Sequence, residues 1–292
     1  MSVWDDIAAA ITEASGKRFV PNSQGTLGGG CINSAFRLSD GEHDWFVKTN
    51  HAARIDMFDA EAAGLNALAD SATLKVPRAL CTGTSGDTSF IVMQHIRFGN
   101  GSTRGWQAAG RGLAALHAHN AHAFGWERNN TIGASPQPNA WRDDWITFWR
   151  EQRLGFQLGL AARHNHGSRL QKLGDQLLTR FHVLVDHAPQ PSLLHGDLWG
   201  GNLSFDSHGE PVIYDPATYF GDREADLAMT ELFGGFSADF YAAYREAWPI
   251  DAGYRVRKML YNLYHVLNHL NLFGGGYGTQ AERMMQSLLA EC

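Results

Sequence analysis

The sequence lacks long hydrophobic runs, metal-binding cysteine spacings and an excess of basic residues. No segment approaches the roughly 18 uninterrupted apolar residues that a membrane-spanning helix needs. The three cysteines, Cys31, Cys81 and Cys292, are odd in number and lack metal-ligand spacing, so a reduced chain is expected. Lysine and arginine (24) are outnumbered by aspartate and glutamate (30), and the net charge of −6 argues against a nucleic-acid surface. The acidic, amphipathic N-terminus is unlike a signal peptide, so the chain is predicted to be cytoplasmic, with neither a membrane nor a nucleic-acid partner.

The composition is that of an ordinary globular protein, with 44% hydrophobic and 18% charged residues. Its 292 residues can form one large domain or two modest lobes around a cleft. Strand signals dominate from residue 21 to about 97, and helical patterns dominate beyond a polar, glycine-rich stretch at 98–105. This order predicts an α+β fold with a small β-rich N-terminal lobe (1–97) and a larger, mainly helical C-terminal lobe (98–292).

The predicted helices show on which elements the motifs described below lie. Ser2 can cap the first helix. Further helices are expected over 55–69, 107–119, 141–160, 168–186, 222–233, 252–272 and 280–289. Only one hairpin, within residues 193–226, is expected to interrupt the helices of the second lobe.

The run from Leu193 to Asp226 carries the strongest chemical signal in the chain. In order, it contains His195, Asp197, Asn202 and Asp215. Asp197 and Asn202 are spaced as in the catalytic loop of protein kinases, and Asp215 follows an apolar strand, where kinases carry the Asp of D-F-G. Transfer of a γ-phosphoryl group needs one carboxylate to deprotonate the acceptor hydroxyl and separate oxygen ligands to hold Mg²⁺. The run therefore predicts phosphoryl transfer from a magnesium nucleotide, and the alternative is a tight turn rich in Asp and Gly.

A glycine-rich turn between the first two predicted strands is a candidate phosphate loop. Its candidate nucleotide-binding residues are Gly28, Gly29, Gly30, Cys31, Ile32 and Asn33. Glycine lets backbone N–H groups approach phosphate oxygens closely. Taken alone, the turn also fits a flexible hairpin, because it is neither G-x-G-x-x-G nor a Walker loop. Oxidation of Cys31 within such a loop is a candidate means of impairing nucleotide binding, with a small buried filler as the alternative.

Lys48, Glu61 and the last strand of the first lobe are expected to complete the nucleotide site. Lys48 follows Trp-Phe-Val and resembles the strand-borne lysine of the kinase V-A-I-K motif. An ion pair with Glu61, on the predicted helix 55–69, would hold the Lys48 ammonium on the α- and β-phosphates of ATP. Each residue could instead be a solvent-exposed charge. The hinge is expected to meet the adenine edge through the backbone of Met93, Gln94 and Ile96.

With these residues placed, the sequence resembles the fructosamine-3-kinase (ketosamine kinase) family of the protein-kinase-like superfamily. The resemblance covers nearly the whole chain. It rests on GGGCINS, WFVKT and MFDAEAAGL in the first lobe, and on FGWERNNTIGASPQPNAWRDDW, HGDLWGGN, DPATYFGDREADLAM and LNHLNLFGGGY in the second. It implies a two-lobed kinase fold and ATP- and Mg²⁺-dependent phosphorylation of the 3-hydroxyl of ketosamines, either free or on glycated lysines of proteins. The phosphorylated adduct then breaks down, so the family is associated with protein deglycation.

The resemblance also implies roles for individual residues. Asp197 would be the base towards the 3-hydroxyl of the substrate, and Asn202 and Asp215 would bind Mg²⁺. Trp199 and His269 are candidates for substrate contact. At both positions a packing role, in the lobe core or between helices, is an equal alternative.

Some positions depart from the protein-kinase pattern. Gly196 replaces the Arg of H-R-D, Pro216 and Ala217 replace Phe-Gly, and no long activation segment follows. These changes remove an Arg-dependent phosphorylation switch and indicate constitutive activity on a small acceptor. Asp226 is expected to brace the catalytic loop rather than to touch ligand.

Several alternatives remain open. A kinase of an aminoglycoside, choline or a plain sugar would share the catalytic motifs, although the PQPNAW segment favours ketosamines. A catalytically silent kinase fold that serves as a binding module usually loses the base, a metal ligand or the lysine, and this chain has all of them. The histidines of 117–122 and 164–166 could suggest a metal site, but they lie where a helix is expected to end. A monomer or weak dimer is expected.

Overall fold

The structure is a computed structural model that describes residues 2–27 and 33–292. These residues form two compact units. The first comprises the described residues up to Gly105 together with Leu203–Pro216, and the second comprises Trp106–Asn202 and Ala217–Cys292.

Strands dominate the first part of the chain and helices the second. In chain order, the strands are β1 Ser23–Leu27, β2 Ser34–Ser39, β3 Asp44–His51, β4 Ala79–Ser85, β5 Thr88–Gln94, β6 Asn130–Ile132, β7 Ser135–Gln137, β8 Ser192–Leu194, β9 Leu203–Phe205, β10 Pro211–Ile213 and β11 Tyr219–Gly221. The helices are α1 Val3–Ser15, α2 Ile55–Asp70, α3 Thr103–His117, α4 Trp145–Phe148, α5 Gly155–Arg163, α6 Ser168–Arg180, α7 Glu224–Leu232, α8 Ala238–Ala247, α9 Tyr254–Phe273 and α10 Tyr277–Ala290.

The first unit is built on a five-stranded antiparallel sheet with the strand order β1-β2-β3-β5-β4. On β3, Val47 is buried in a core that includes Ile7 and Ile11 of α1. Because side chains alternate along a strand, Lys48 points to the opposite face of the sheet. There it reaches Glu61 of α2. The predicted helix over 55–69 is thus confirmed as α2, and its packing on the sheet places Glu61 within reach of Lys48.

Ser2 caps α1, as the sequence predicts. Its hydroxyl accepts a hydrogen bond from the Asp5 N–H at 3.3 Å, and the Asp5 carboxylate accepts one from the Ser2 N–H at 2.8 Å. This reciprocal pair is a capping box, which satisfies two backbone donors at the start of the helix. The cap fixes where the helix that covers one face of the sheet begins.

The hairpin of β9 and β10 belongs to the first unit. The Gly99 N–H donates to the Phe205 carbonyl at 2.8 Å, and a side chain on Gly101 would collide with the Phe205 ring. Lys75 Nζ donates to Asp206 at 2.6 Å. The glycines of the 98–105 stretch therefore allow close packing on β9. The hairpin leads, through β10, into Asp215.

The second unit is mainly helical, and α9 packs against α5, α7 and α10. Between α4 and α5, the helix continues through a π-helical segment, Trp149–Leu154, which buries Arg153 completely. Single π-turns within α-helices are rare and frequently lie at functional sites. Within residues 2–27 and 33–292, no helix combines the length and hydrophobicity needed to cross a membrane.

The prediction that one hairpin alone interrupts the second lobe was wrong. The second unit also contains the hairpin of β6 and β7 and the strand pair of β8 and β11. Helix α8 was not predicted either. These strands have three residues each, which is too short for a recognisable alternation of polar and apolar residues. Helix α8 did have a start signal, since the Ser237 hydroxyl accepts from the Asp239 N–H at 3.2 Å.

Candidate active site

Lys48, Glu61 and Asp215 come together in the first unit. The nearly buried Lys48 Nζ donates to Glu61 Oε1 at 2.7 Å and to Asp215 Oδ1 at 2.5 Å. Asp215 lies just beyond β10 with a left-handed backbone, at a φ of 57°. That conformation is uncommon for a residue with a side chain, and such strained residues cluster at functional sites. The ion pair expected between Lys48 and Glu61 is present, and it includes a second carboxylate.

The contacts within this cluster shift the pKa values of Lys48 and Glu61. Burial disfavours the charged form of Lys48, but the carboxylates of Glu61 and Asp215 outweigh it, so the pKa of Lys48 is raised above its ordinary value. The pKa of Glu61 is also raised, because burial and the charge of Asp215 outweigh the effect of Lys48. One ammonium therefore faces two carboxylates, of which Asp215 is the more exposed, with 47% of its side chain accessible. An exposed carboxylate offers the hard oxygen ligands that Mg²⁺ prefers.

The candidate phosphate loop is described only at its end. Gly28, Gly29, Gly30, Cys31 and Ile32 lie outside the described residues. The side-chain oxygen of Asn33 accepts a hydrogen bond from Asn50 Nδ2 at 2.7 Å. This bond ties the residue that precedes β2 to the end of β3, on the strand that carries Lys48.

The predicted hinge residues lie at the end of β5. Met93 is buried in the sheet, and the N–H of Gln94, the last residue of β5, donates to the carbonyl of Arg78, just before β4, at 2.9 Å. Ile96 lies beyond the strand. An aromatic pair that the sequence patterns did not indicate follows, with the rings of Phe98 and Tyr214 stacked at 5.3 Å. It could not be found from local patterns, since its two members are far apart in the chain.

Asp226 holds the start of the predicted catalytic loop, residues 195–202, in the second unit. From its buried position on α7 it accepts hydrogen bonds from the N–H groups of His195, at 2.7 Å, and Gly196, at 2.8 Å. Burial opposes its charge, but hydrogen bonding to His117 and to these backbone groups prevails and lowers the pKa of Asp226. The prediction that Asp226 braces the catalytic loop is confirmed.

Gly196 occupies a position that admits no side chain. Its φ is 83°, and an added Cβ would collide with the carbonyl oxygen of Ala217. The Ala217 N–H donates to the His195 carbonyl at 2.9 Å, which holds the two segments together. Close backbone contact therefore accounts for glycine where protein kinases have arginine.

Asn202 orients Asp197, the predicted base. Asn202 Nδ2 donates to the Asp197 carbonyl oxygen at 2.8 Å and to Asp197 Oδ2 at 3.2 Å. The Asp197 N–H donates to His195 Nδ1 at 3.3 Å. Because the amide nitrogen is directed at Asp197, the side-chain oxygen is the atom that Asn202 would offer to a cation. Asp197 itself is partly exposed, as a base that meets a dissolved substrate must be.

Trp199 and His269 belong to one exposed aromatic cluster in the second unit. Its members are Trp199, Phe233, His269, Phe273 and Tyr277. Phe233 links the two predicted residues, with ring centroids 6.3 Å from Trp199 and 4.9 Å from His269. Trp199 is 40% exposed, and its ring lies over Gly201, where a side chain would collide with it. The sequence patterns did not indicate Phe233, Phe273 and Tyr277, whose apolar rings are typical of core residues.

The tautomer of His269 is determined by its surroundings. His269 Nδ1 donates to the His265 carbonyl at 2.8 Å, so Nδ1 carries the proton of the neutral ring. Nε2 is then the atom that can accept a hydrogen bond from a hydroxyl. The aromatic cluster therefore combines apolar ring faces with one polar acceptor.

The histidines of 117–122 and 164–166 do not supply the grouping suited to a metal. In the described part of the chain, the only group of histidine and acidic side chains close enough to share an ion is His187, Asp222 and Glu224. Arg257 Nε already donates to Glu224 at 2.6 Å, and the Tyr261 hydroxyl to Asp222 at 2.5 Å. That group is therefore a buried ionic network with its own cation.

Comparison with known proteins places the chain in a family. Residues 3–291 match the model of the family described as fructosamine kinase. The chain belongs to the fructosamine kinase family. It is 49% identical over 290 residues to a protein of Synechocystis named "Probable ketoamine kinase", across 98% of this chain and 97% of the relative. It is 44% identical over 272 residues to a protein of Arabidopsis thaliana named "Protein-ribulosamine 3-kinase, chloroplastic", across 91% and 82% of the two chains.

Solved structures agree with this membership. A crystal structure assigned to fructosamine-3-kinase from Haemophilus somnus matches with a TM-score of 0.90 at 28% identity, across 98% of this chain and 97% of the other. A ternary complex of an aminoglycoside phosphotransferase with AMP-PNP and hygromycin B shares the fold alone, with a TM-score of 0.68 at 16% identity and 98% of each chain covered. The resemblance and the α+β, protein-kinase-like fold predicted from the sequence are confirmed. This member of the fructosamine kinase family is an ATP-dependent phosphotransferase.

Proposed function

We propose that this fructosamine kinase family member transfers the γ-phosphoryl group of ATP to the 3-hydroxyl of ketosamines, as a step in protein deglycation. The observation that carries the proposal is the exposed aromatic cluster that begins on the catalytic loop, two residues after Asp197. The names of the relatives, a ketoamine kinase and a ribulosamine 3-kinase, support the same substrate class. Fructosamine- and ribulosamine-type adducts, either free or on lysines of glycated proteins, are the acceptors we expect.

Polar residues of each unit have a role in the proposed reaction. Asp197, oriented by Asn202, would accept the proton of the 3-hydroxyl as that oxygen attacks phosphorus. Lys48, held by Glu61, would place its ammonium on the α- and β-phosphates. Asn202 and Asp215 are the residues that would hold Mg²⁺, which when bound neutralises charge on the transferred group. The exposure of the Asp215 carboxylate, next to a second carboxylate in the cluster, supports this assignment.

The aromatic cluster suits the two halves of a ketosamine. The amine of such an adduct is cationic, and aromatic ring faces attract cations. The ring of Trp199 would cover the apolar face of the sugar, while His269 Nε2 would accept a hydrogen bond from a sugar hydroxyl. Trp199 and His269 are therefore the substrate-binding residues of this proposal.

We propose residues 1–97 as the nucleotide-binding lobe and residues 98–292 as the catalytic and substrate-binding lobe. Gly28, Gly29, Gly30, Cys31, Ile32 and Asn33 would surround the phosphates, and Met93, Gln94 and Ile96 the adenine. We also propose a cytoplasmic monomer or weak dimer without nucleic-acid or membrane partners.

A substrate panel tests the proposed function. The enzyme is given ATP and Mg²⁺ with lysine adducts derived from fructose, ribulose or erythrulose, and separately with choline, an aminoglycoside or free fructose. We expect ATP consumption with at least one ketosamine, and NMR of the product should show phosphate on the 3-oxygen. Failure on every ketosamine together with turnover of choline, an aminoglycoside or fructose would replace the proposal by that other kinase activity.

The variant Asp197→Asn is the control for the chemistry. Because a carboxamide cannot take up the hydroxyl proton, turnover should fall by about 10²- to 10⁴-fold. ATP binding, measured by calorimetry, should stay close to that of the unaltered enzyme. Retained turnover in this variant would remove Asp197 from the role of base.

A further inference from the structure

The family-like segment around PQPNAW forms a buried polar network in the second unit. Gln137 and Asn139 are fully buried, and Gln137 faces Asn130 across the hairpin of β6 and β7. Asn130 Oδ1 accepts hydrogen bonds from Gln137 Nε2, at 2.8 Å, and from Asn139 Nδ2, at 2.9 Å. Arg153, from the π-helical segment, donates to Asn139 Oδ1 at 2.8 Å. This part of the segment is therefore an internal support and not a binding surface.

The network ends on two backbone carbonyl groups that follow Asp215 in the chain. Gln137 Nε2 donates to the Ala217 carbonyl at 3.0 Å, and Asn130 Nδ2 donates to the Thr218 carbonyl at 2.8 Å. The Tyr264 hydroxyl donates to Gln137 Oε1 at 2.7 Å. Burial raises the pKa of Tyr264 to about 12, so the phenol keeps its proton and remains a donor. Tyr264 therefore determines that the nitrogen of the Gln137 carboxamide, and not its oxygen, faces Ala217.

Ala217 is in turn in direct contact with the catalytic loop. Its N–H donates to the His195 carbonyl at 2.9 Å, and its carbonyl oxygen packs against Gly196 where no Cβ would fit. The strand that follows, β11, pairs with β8, which leads into His195. A shift of the Ala217 peptide would therefore displace the loop that carries Asp197.

We propose that Gln137 is a positioning residue for phosphoryl transfer, which acts by holding the Ala217 carbonyl and, through Ala217, the catalytic loop. This inference rests on the proposed function for the reaction that the loop performs. Gln137 has no exposed surface, so it acts through Ala217 and touches neither substrate nor nucleotide. Removing its carboxamide leaves the Ala217 carbonyl without this donor and frees the peptide to move.

The test compares Gln137→Leu with a control that removes a buried hydrogen bond elsewhere in the second unit, Tyr254→Phe. Tyr254 is buried on α9, the helix that carries Tyr264, and its hydroxyl donates to Glu231 Oε1 at 2.8 Å. Tyr264→Phe is a milder variant that removes only the phenol oxygen. Since misplacement of a catalytic group lowers turnover steeply, we expect kcat to fall about 10-fold or more in Gln137→Leu and about 3-fold in Tyr264→Phe. The KM for ATP should stay within about twofold, and the kcat of Tyr254→Phe should also stay within about twofold of the unaltered enzyme.

A second measurement does not depend on any substrate. Amide hydrogen exchange of the free enzyme should become about tenfold faster at Gly196, Asp197 and Ala217 in Gln137→Leu, and should not change there in Tyr254→Phe. If the unaltered enzyme phosphorylates no ketosamine, the proposed function fails while this exchange comparison still tests the positioning role. Equal losses of kcat in Gln137→Leu and Tyr254→Phe, or unchanged exchange at Gly196 and Asp197 in Gln137→Leu, would overturn the proposal. If Gln137→Leu does not fold, Tyr264→Phe carries both measurements.

Discussion

Lys48 shows how the surroundings of one side chain distinguish it from others of its type. The exposed Lys75 is paired with one carboxylate, that of the buried Asp206, at 2.6 Å. Lys48 is nearly buried between two carboxylates, and its pKa is raised although burial opposes its charge. A permanently charged ammonium held by Glu61 and Asp215 is what binding of nucleotide phosphates requires.

The variant Lys48→Met should therefore lose function where Lys75→Met does not. We expect kcat/KM for ATP to fall about 100-fold in Lys48→Met, because the phosphates lose their cationic partner. Lys75→Met, which removes an ammonium of the same unit from another ion pair, should stay within about threefold of the unaltered enzyme. Steady-state kinetics with varied ATP make the comparison, and similar losses in the two variants would exclude a specific role for Lys48.

The catalytic loop is an element whose shape depends on contacts from outside it. Asp226 of α7 binds two of its N–H groups, and Ala217 packs on its backbone. Within the loop, the Trp199 N–H donates to the Asp197 carbonyl at 3.1 Å and the Asn202 N–H to the Trp199 carbonyl at 2.9 Å, and the contacts with Asp226 and Ala217 fix its first residues. Gly196 is the position at which the path is least tolerant, because it combines a φ of 83° with a close approach to Ala217.

The variant Gly196→Ala should disrupt this element. The left-handed conformation costs an alanine about 1–2 kcal/mol, and the clash with the Ala217 carbonyl adds to that strain. We expect a loss of about 2 kcal/mol or more in the free energy of unfolding and a fall in kcat of about 100-fold. Gly200→Ala is the control within the same loop, since a Cβ at Gly200 would meet no atom within 4 Å. Urea unfolding and turnover measure both, and a normal Gly196→Ala enzyme would show that the loop has an alternative path.

The stability of the molecule as a whole should depend on pH through a buried histidine. Burial lowers the pKa of His265 to about 3, with His269 and Arg153 acting in the same direction and Asp226 opposing them. In the unfolded chain the ring titrates near 6.5. Below that pH the unfolded state binds a proton that the folded state does not, so folding stability is full above about 6.5 and falls as the pH decreases towards 3.

We therefore expect His265 to contribute a slope of up to about 1.4 kcal/mol per pH unit to the free energy of unfolding below pH 6.5. Urea unfolding at pH 7, 6 and 5 would measure it. His265→Leu should have a smaller slope than the unaltered protein, whereas His119→Gln, which changes an exposed histidine, should keep the original slope. An unchanged slope in His265→Leu would mean that other groups cause the acid sensitivity.

The parts of the fold that were predictable are those with local signals. The hairpin of β2 and β3, helix α2 and the capping of α1 by Ser2 follow from alternation, helical spacing and a capping residue within a few positions. Strands β6, β7, β8 and β11 have three residues each and exist because of their partners, so no local pattern indicates them. The roles of Lys48, Asp197, Asn202 and Asp215 stay predictions that the kinetic tests above address.

Short motifs within single loops and strands were sufficient to indicate the family and its kinase-like fold. Such motifs are legible in a sequence because the chemistry of phosphate and metal binding constrains residues that are near one another in the chain. Only the tertiary structure shows that Asp215 contacts Lys48 and that Gln137 donates to the Ala217 carbonyl. It also shows that Phe233 contacts both Trp199 and His269. These contacts connect segments that are distant in the chain, and they depend on the relative placement of helices and strands, which no local pattern contains.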